Sequence, residues 1–253
     1  MDNKIAAVDR ALEVLDLLHE NEKEMGISEI ARALNLHKST VSRTLSTLEH
    51  RGFVRKNLEN QKYWLGLKLY AIGMTVKEKS VYLDEVIIAA KTLFKEFNEV
   101  INVSVLEHQD EGTFKSVIVY KESNPNQVLL VNPTLGSYTD AHASSVGKCL
   151  LAYTPEVTEE YIRGLTLKKY TEKTISNNEK LIQELADIRK KGYAVDDEER
   201  EVGLTCVGAP IFDVQGNLVA AISISGPTAR MKSHDREYLV KRLIQVAKSI
   251  KII

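Results

Sequence analysis

Residues 27–56, ISEIARALNLHKSTVSRTLSTLEHRGFVRK, constrain the fold more than any other stretch of the chain. Two short amphipathic patterns flank the turn Asn35-Leu36-His37. In the first, Ile30 and Leu34 repeat at helical spacing. In the second, Val41, Leu45 and Leu48 form one stripe of a helix. The opposite face of that second helix carries Ser39, Ser42, Arg43 and Ser46, with Lys38 at its N-terminal end. Small hydroxyl residues around one guanidinium allow close approach to a DNA major groove, where Arg grips a guanine edge or a phosphate. After Gly52 the period changes. Residues 53–56 and 62–65, separated by the polar turn Leu58-Glu59-Asn60-Gln61, read as a two-stranded hairpin. Helix, turn, helix and basic hairpin together predict a winged helix-turn-helix.

The alternative is a helix pair whose polar outer face binds nothing, and charge decides against it. Between His37 and Lys62 the cations Lys38, Arg43, Arg51, Arg55, Lys56 and Lys62 face only Glu49 and Glu59, in a chain whose net charge is −1. A local positive patch on a nearly neutral protein is an electrostatic footprint for phosphate, not a generally sticky surface. The expected partner is therefore double-stranded DNA. Lys38, Ser39, Thr40, Ser42, Arg43 and Ser46 are expected in the groove, with Arg55, Lys56 and Lys62 on phosphates.

The 253 residues leave room for a second domain, at roughly 100–200 residues per domain. A hydrophobic fraction of 43% allows a core of ordinary size. Two cysteines, Cys149 and Cys206, form no disulfide framework and suit a reducing cytosol. The opening residues MDNKIAAVDRALEVL are charged throughout and lack the apolar run of a signal peptide. No stretch approaches the ~20 apolar residues of a membrane span. A cytoplasmic protein with no membrane segment is expected.

Residues 5–19 read as a first helix, with Val8, Leu12, Leu15 and Leu18 packing beneath the helix-turn-helix. Leu67, Tyr70, Ala71 and Met74 recur at i, i+3, i+4 and i+7, which suggests a linker helix whose stripe is shared with a second copy. Packing on its own chain is the alternative. The chain is thus divided into a DNA-binding domain 1–65, a linker helix 66–80 and a second domain 81–253. That second domain opens with a helix over 82–97 whose inward positions are Val86, Ala89, Ala90, Leu93 and Phe97. Strands are expected at 101–107, 115–121, 127–131, 193–196, 205–212 and 218–225. In the first of these, Val103 and Val105 alternate with polar neighbours. Helices follow at 144–153, after Ser176 and Glu179 at capping-box spacing and ending at Gly192, and at 237–251. Helices around an antiparallel sheet make an α+β architecture of the kind that senses small molecules.

Strand 218–225 is unusual. Leu218, Ala220, Ile222 and Ile224 make a core face, whereas Val219, Ala221, Ser223 and Ser225 are small and end in two hydroxyls. The neighbouring strand shows Cys206, Gly208 and Pro210 on alternate positions. Two adjacent strands with small side chains on one face leave a concavity. Asp196 can add a carboxylate, and helix 144–153 can direct the free N–H groups of Ser144, Ser145 and Val146 towards it. The collected groups suit a small organic acid, its carboxylate on the amides and a hydroxyl on Asp196. The alternatives are that the serines bond to neighbouring backbone and Asp196 serves as a cap or ion-pair partner. Cys149, on an apolar stripe, is expected in the core.

With these residues in view, the chain resembles the IclR family of bacterial transcriptional regulators nearly end to end. The resemblance is carried by VDRALEVLDLL, ISEIARALNLHKSTVSRTLSTLEHRGFV and YWLGLKL, then by HASSVGKCLLA and GYAVDDEEREVGLTCVGAPIFDVQGNLVAAISISGP. It implies a winged helix-turn-helix, a linker helix and a GAF-like effector domain, in dimers or tetramers on palindromic operators. It also implies a ligand against Ser145, Val146, Asp196, Cys206, Ser223 and Ser225, the same positions as the concavity. Relatives often carry Gly or Ala where Ser145 stands, so the identity of the ligand does not transfer. No catalytic group, cofactor or metal is expected, and repression is the commoner habit of the family. Two other readings compete with regulation. Cys206 with His142, or Ser144 or Ser145 with His142, could be a nucleophile and base, but no nucleophile-elbow motif or third orienting group accompanies them. Cys206, His142 and Asp196 could hold zinc, but no short ligand spacing supports it.

Overall fold

The computed structural model describes residues 5–21, 23–79, 83–108, 113–124 and 134–252, so the expected strand 127–131 lies outside the described residues. The chain divides into two compact units, Met1–Val81 and Tyr82–Ile253.

The first unit is built on three helices, α1 (Ala6–Asn21), α2 (Ile27–Ala33) and α3 (Lys38–His50). The Glu29 carboxylate starts α2 by accepting the Gly26 N–H at 2.6 Å. Asn35 makes the turn in the left-handed region, φ 52°, which asparagine tolerates better than most residues. Val41, Leu45 and Leu48 of α3 are buried against Val14 and Leu18 of α1, Ile30 and Ala31 of α2, and Val54 and Tyr63 of the wing. The wing pairs β1 (Val54–Lys56) with β2 (Tyr63–Leu65), Val54 opposite Leu65, and Met25 adds a bridge to Tyr63. A fourth helix, α4 (Leu67–Lys79), follows.

One expectation for α1 fails. Val8 and Leu12 are each 54% exposed, and the helix rests on Val14 and Leu18 with Ala11 and Leu15 beside them. The packed stripe is rotated from the expected one because Ala11, not Leu12, meets the neighbouring helices. Leu67, Tyr70 and Ala71 of α4 are likewise exposed in this chain, and Met74 is half-buried.

The second unit centres on an antiparallel sheet in the order β5-β4-β3-β8-β7-β6. Its strands are β3 (Val100–His108), β4 (Phe114–Glu122), β5 (Tyr138–Asp140), β6 (Ala194–Asp197), β7 (Leu204–Phe212) and β8 (Leu218–Pro227). One face buries Ile101, Val103, Val207, Ala209, Ile211, Ala220, Ile222 and Ile224 beneath α5 (Leu83–Phe97) and α10 (Arg236–Ser249). The inward positions expected for α5 are all buried there. The other face is covered by α6 (Ser145–Tyr153), which packs in turn on α8 (Asn178–Lys191) through Leu150, Leu181 and Leu185. Two short helices, α7 (Glu159–Arg163) and α9 (Thr228–Ser233), and a 3-10 turn at Ala141–Ala143 complete the described elements.

Two local details differ from the sequence reading. A register shift between Ile211 and Phe212 places Leu218 with the α6-side cluster and Val219 with the α10 side, reversing the start of β8. Asn177, not Ser176, caps α8, accepting the Lys180 N–H at 3.0 Å, while Glu179 turns to Arg163 at 2.7 Å. The helix does end at Gly192, whose φ of 78° favours glycine.

Leu45 is fully buried at the centre of the first unit's small core. Leu45→Ala is expected to cost about 2–5 kcal/mol, the range for deleting a buried leucine side chain. The single tryptophan, Trp64, stands in the wing and reports the loss as a lower urea midpoint of its fluorescence.

Candidate functional site

In the first unit, α3 presents Lys38, Ser39, Ser42, Arg43 and Ser46 to solvent, while Val41, Leu45 and Leu48 hold its opposite side. Its first turn contains no acidic residue to compete with phosphate for the free N–H groups. Thr40 stands apart from that face, half-buried in the cleft between α1 and α3 with Arg10 and Thr44. Arg55 is exposed on β1. The Lys56 ammonium lies 5.7 Å from the centre of the Tyr63 ring. Lys62 is engaged by Glu29 at 3.2 Å, so a phosphate there must displace a carboxylate. The wing loop is tied to the segment before α2, because Asn57 and Asn60 donate to Glu24 at 3.0 and 2.7 Å. Those bonds hold the Glu24 carboxyl below its usual range.

The second unit gathers polar side chains beneath α6. Asp196 lies opposite Cys206 across β6 and β7, and Cys206 lies opposite Ser225 across β7 and β8. Gly208 faces Ser223, and a Cβ on Gly208 would stand 2.9 Å from the Ser145 carbonyl carbon. That glycine is what lets the start of α6 descend onto the sheet. At the other side of the helix, a Cβ on Gly147 would collide with the Ala141 backbone. Ser144 caps α6 by accepting the Gly147 N–H at 3.1 Å, leaving the N–H groups of Ser145 and Val146 without a place in the helical ladder. Ser145, Val146, Asp196, Cys206, Ser223 and Ser225 are therefore all buried around one region.

The hydrogen bonds within this region are sparse. Ser223 Oγ and Ser225 Oγ are 3.2 Å apart, and Asn102 Nδ2 donates to Ser225 Oγ at 3.3 Å. Asp196 Oδ1 accepts the N–H groups of Glu199 and Arg200 at 2.7 and 3.3 Å. Burial nevertheless pushes the Asp196 carboxyl up to about 7, the Glu199 N–H acting against the shift and the Glu199 charge adding to it. The Cys206 thiol is also pushed up, by burial first and the Asp196 charge second. A buried thiol held protonated is a poor nucleophile. His142 Nε2 donates to the Lys168 carbonyl at 2.9 Å, and the Ser144 hydroxyl oxygen accepts the Gly147 N–H in its cap. Among the described residues, no three His, Cys, Asp or Glu side chains are grouped as a metal ion requires.

The sequence reading missed several members of the region. Asn102 and Ser104 on β3 are buried, not on a solvated face, because α6 covers the side to which they point. Lys148, Glu199 and Arg200 were also overlooked. The signal was present: a lysine inside the apolar run VGKCLLA is out of place unless a buried anion meets it. Lys148 is in fact fully buried, donating to the Val195 carbonyl at 2.6 Å and bonding Glu199. Asn102 Oδ1, Ser104 Oγ, Glu199 Oε2 and Arg200 Nη1 are buried without a hydrogen-bond partner among the described residues.

The raised Asp196 carboxyl has a consequence for stability. Between pH ~4, where an unfolded aspartate releases its proton, and about 7, the folded chain still holds it. Its contribution to stability therefore falls as pH rises across that window. Asp196→Asn keeps an acceptor for the two N–H groups and is expected to flatten the decline of melting temperature with pH there. Calorimetry of both proteins from pH 4 to 8 checks the slope.

Comparison with known proteins places these two units in one family. The family model for the IclR helix-turn-helix domain matches residues 7–58, and that for the bacterial transcriptional regulator IclR C-terminal region matches residues 85–252. The transcriptional repressor IclR of Escherichia coli (strain K12) is 30% identical over 251 residues, covering 98% of this chain and 89% of that protein. The crystal structure of the Thermotoga maritima IclR is 32% identical, with a TM-score of 0.78 and 98% of each chain covered. An IclR homologue from Microbacterium hydrocarbonoxydans, solved with 4-hydroxybenzoate, shares the fold at 24% identity, a TM-score of 0.79 and 95% coverage of each chain. No described helix is long and apolar enough to cross a membrane. With family models covering most of its length and relatives that regulate transcription, this chain belongs to the IclR family and is a DNA-binding transcriptional regulator.

Proposed function

We propose that this regulator is a cytoplasmic repressor that occupies a palindromic operator as a homo-oligomer, a dimer or a tetramer, and that a small organic acid modulates its grip. In this reading residues 1–65 read DNA, 66–80 form the linker helix and 81–253 hold the effector. The observation that carries the ligand assignment is the buried polar face under α6. There the amides of Ser145 and Val146 lie above the small Gly208, with Asp196, Cys206, Ser223 and Ser225 on three adjacent strands. A carboxylate suits the two amides at the helix start, and the 4-hydroxybenzoate of the Microbacterium homologue is an acid of that kind. Repression is favoured by the E. coli relative, which is named a repressor. Association is favoured by apolar side chains that the first unit leaves exposed, among them Val8 and Leu12 on α1 and Leu67, Tyr70 and Val76 on α4.

On DNA, Lys38, Ser39, Ser42, Arg43 and Ser46 enter the groove in this reading, with Thr40 at its margin. Arg55, Lys56 and Lys62 take phosphates, Lys62 exchanging Glu29 for one. Arg43→Ala is expected to weaken operator binding and relax its sequence preference by about 1–3 kcal/mol. Arg55→Ala should weaken all sequences alike and reduce the salt slope by about 1. Fluorescence anisotropy with operator and scrambled duplexes at several salt concentrations separates the two, and identical behaviour would show the roles to be misassigned.

A ligand can act on DNA binding only by favouring one arrangement over another. A thermal-shift screen of sugar acids, keto acids and aromatic acids identifies the best binder. That acid is expected to change operator affinity by about 5–150-fold. A saturating dose that leaves the affinity unchanged overturns the coupling.

A further inference from the structure

We propose that β3 is part of the ligand site and sets its selectivity: Asn102 and Ser104 receive hydroxyl groups of a hydroxylated aliphatic acid whose carboxylate lies at the start of α6. The assignment rests on the organic-acid reading above and narrows it.

Asn102 stands directly opposite Ser223, and Ser104 opposite Ala221, so their side chains share the face on which Ser223 and Ser225 lie. Asn102 is 6% exposed and Ser104 is 0% exposed. One end of the Asn102 amide is held by Ser225, while its other end and the Ser104 hydroxyl meet no partner among the described residues. Groups of this kind are rarely left unpaired in an interior, and a ligand that completes their bonds accounts for them. An amide and a hydroxyl both donate and accept, as an alcohol does; an unsubstituted alkyl chain or ring edge does neither. Asn102, Ser104, Ser223, Ser225, Cys206 and Asp196 place polar atoms on four neighbouring strands, β3, β8, β7 and β6. Those strands lie about 4.8 Å apart. A short carbon chain carrying several hydroxyls can address such a surface, whereas a flat apolar ring there leaves the same groups unpaired.

Two matched pairs of acids, D-glycerate with propanoate and D-gluconate with hexanoate, test the assignment, with 4-hydroxybenzoate as the aromatic competitor. Calorimetric titration of the full chain is expected to show at least one hydroxylated acid binding more tightly than its bare partner and than 4-hydroxybenzoate. Asn102→Ala and Ser104→Ala are each expected to weaken that acid about tenfold, the loss of one good hydrogen bond, and to leave the bare partner unchanged. Ser104→Ala deletes an unpaired hydroxyl, so without ligand it should melt at or above the parent temperature; it carries the test should Asn102→Ala fail to fold. Bare or aromatic acids binding as tightly as hydroxylated ones, or a folded variant retaining full affinity, overturn the role of β3 while leaving an organic-acid effector in place. If none of the five binds a protein that still holds DNA, the organic-acid reading falls, and this assignment with it.

Discussion

The ammonium of Lys148 lies between α6, the end of β6 and α8, where it meets the Val195 carbonyl, the Glu199 carboxylate and, at 3.4 Å, Glu184. An ammonium is tolerated inside a protein only when it is paired and hydrogen-bonded, and removing one partner leaves an uncompensated charge. Val195 and Glu199 belong to β6 and the turn after it, and Glu184 to α8, so the charge joins those two stretches to α6. Asp196 immediately follows Val195 and accepts the N–H groups of Glu199 and Arg200, closing the same turn from its other side. The amides of Ser145 and Val146, in the turn of α6 that precedes Lys148, are positioned by the same anchor. Lys148 thus arranges the candidate ligand groups without belonging to them in the proposed reading.

The sheet divides its duties by face. Towards α5 and α10 its side chains are Ile, Val and Ala, which need no partner beyond close packing. Towards α6 the same strands carry Asn102, Ser104, Cys206, Ser223 and Ser225, a buried polar surface on which Asn102 Oδ1 and Ser104 Oγ meet no hydrogen-bond partner among the described residues. A one-residue alternation separates the two surfaces, so either can vary without disturbing the other. The α5–α10 face is thus a plain apolar core, and the polar positions on the other face are left to the demands of recognition. Gly208 and Gly147 sit where α6 must approach closely, and they fix how near the helix comes to the polar side.

Much of this was readable from residue patterns, and the misses share a cause. The helix-turn-helix stripe of Val41, Leu45 and Leu48 and the alternation Cys206, Gly208, Pro210 each depend on local periodicity, which sequence expresses directly. The position of Asn102 does not. A strand with valines on one side and polar residues on the other reads as half-solvated, and only the placement of α6 shows that both sides are covered. The rotation of the α1 stripe from Leu12 to Ala11 is likewise set by the partners it meets. Ser176 and Asn177 are both good caps; Asn177 takes the role, while Glu179 pairs with Arg163 instead of closing a capping box. The Lys148 anchor depends on groups that are 36 to 51 residues distant in sequence.

Two compact units make the proposed regulation a problem of magnitude as well as of contact. Driving a two-state equilibrium from 1:99 to 99:1 takes a differential affinity worth about 5.5 kcal/mol. A small acid gains about 0.5–1.5 kcal/mol net from each hydrogen bond, and only bonds that differ between the two arrangements count. One ligand in one chain therefore supplies a fraction of what a decisive switch requires. In a symmetric oligomer whose copies change together, each bound ligand adds its own differential, so two or four modest contributions reach the needed range. In the proposed reading, the apolar side chains exposed on α1 and α4 do more than match operator symmetry: by joining copies, they let a weak effector become an effective one.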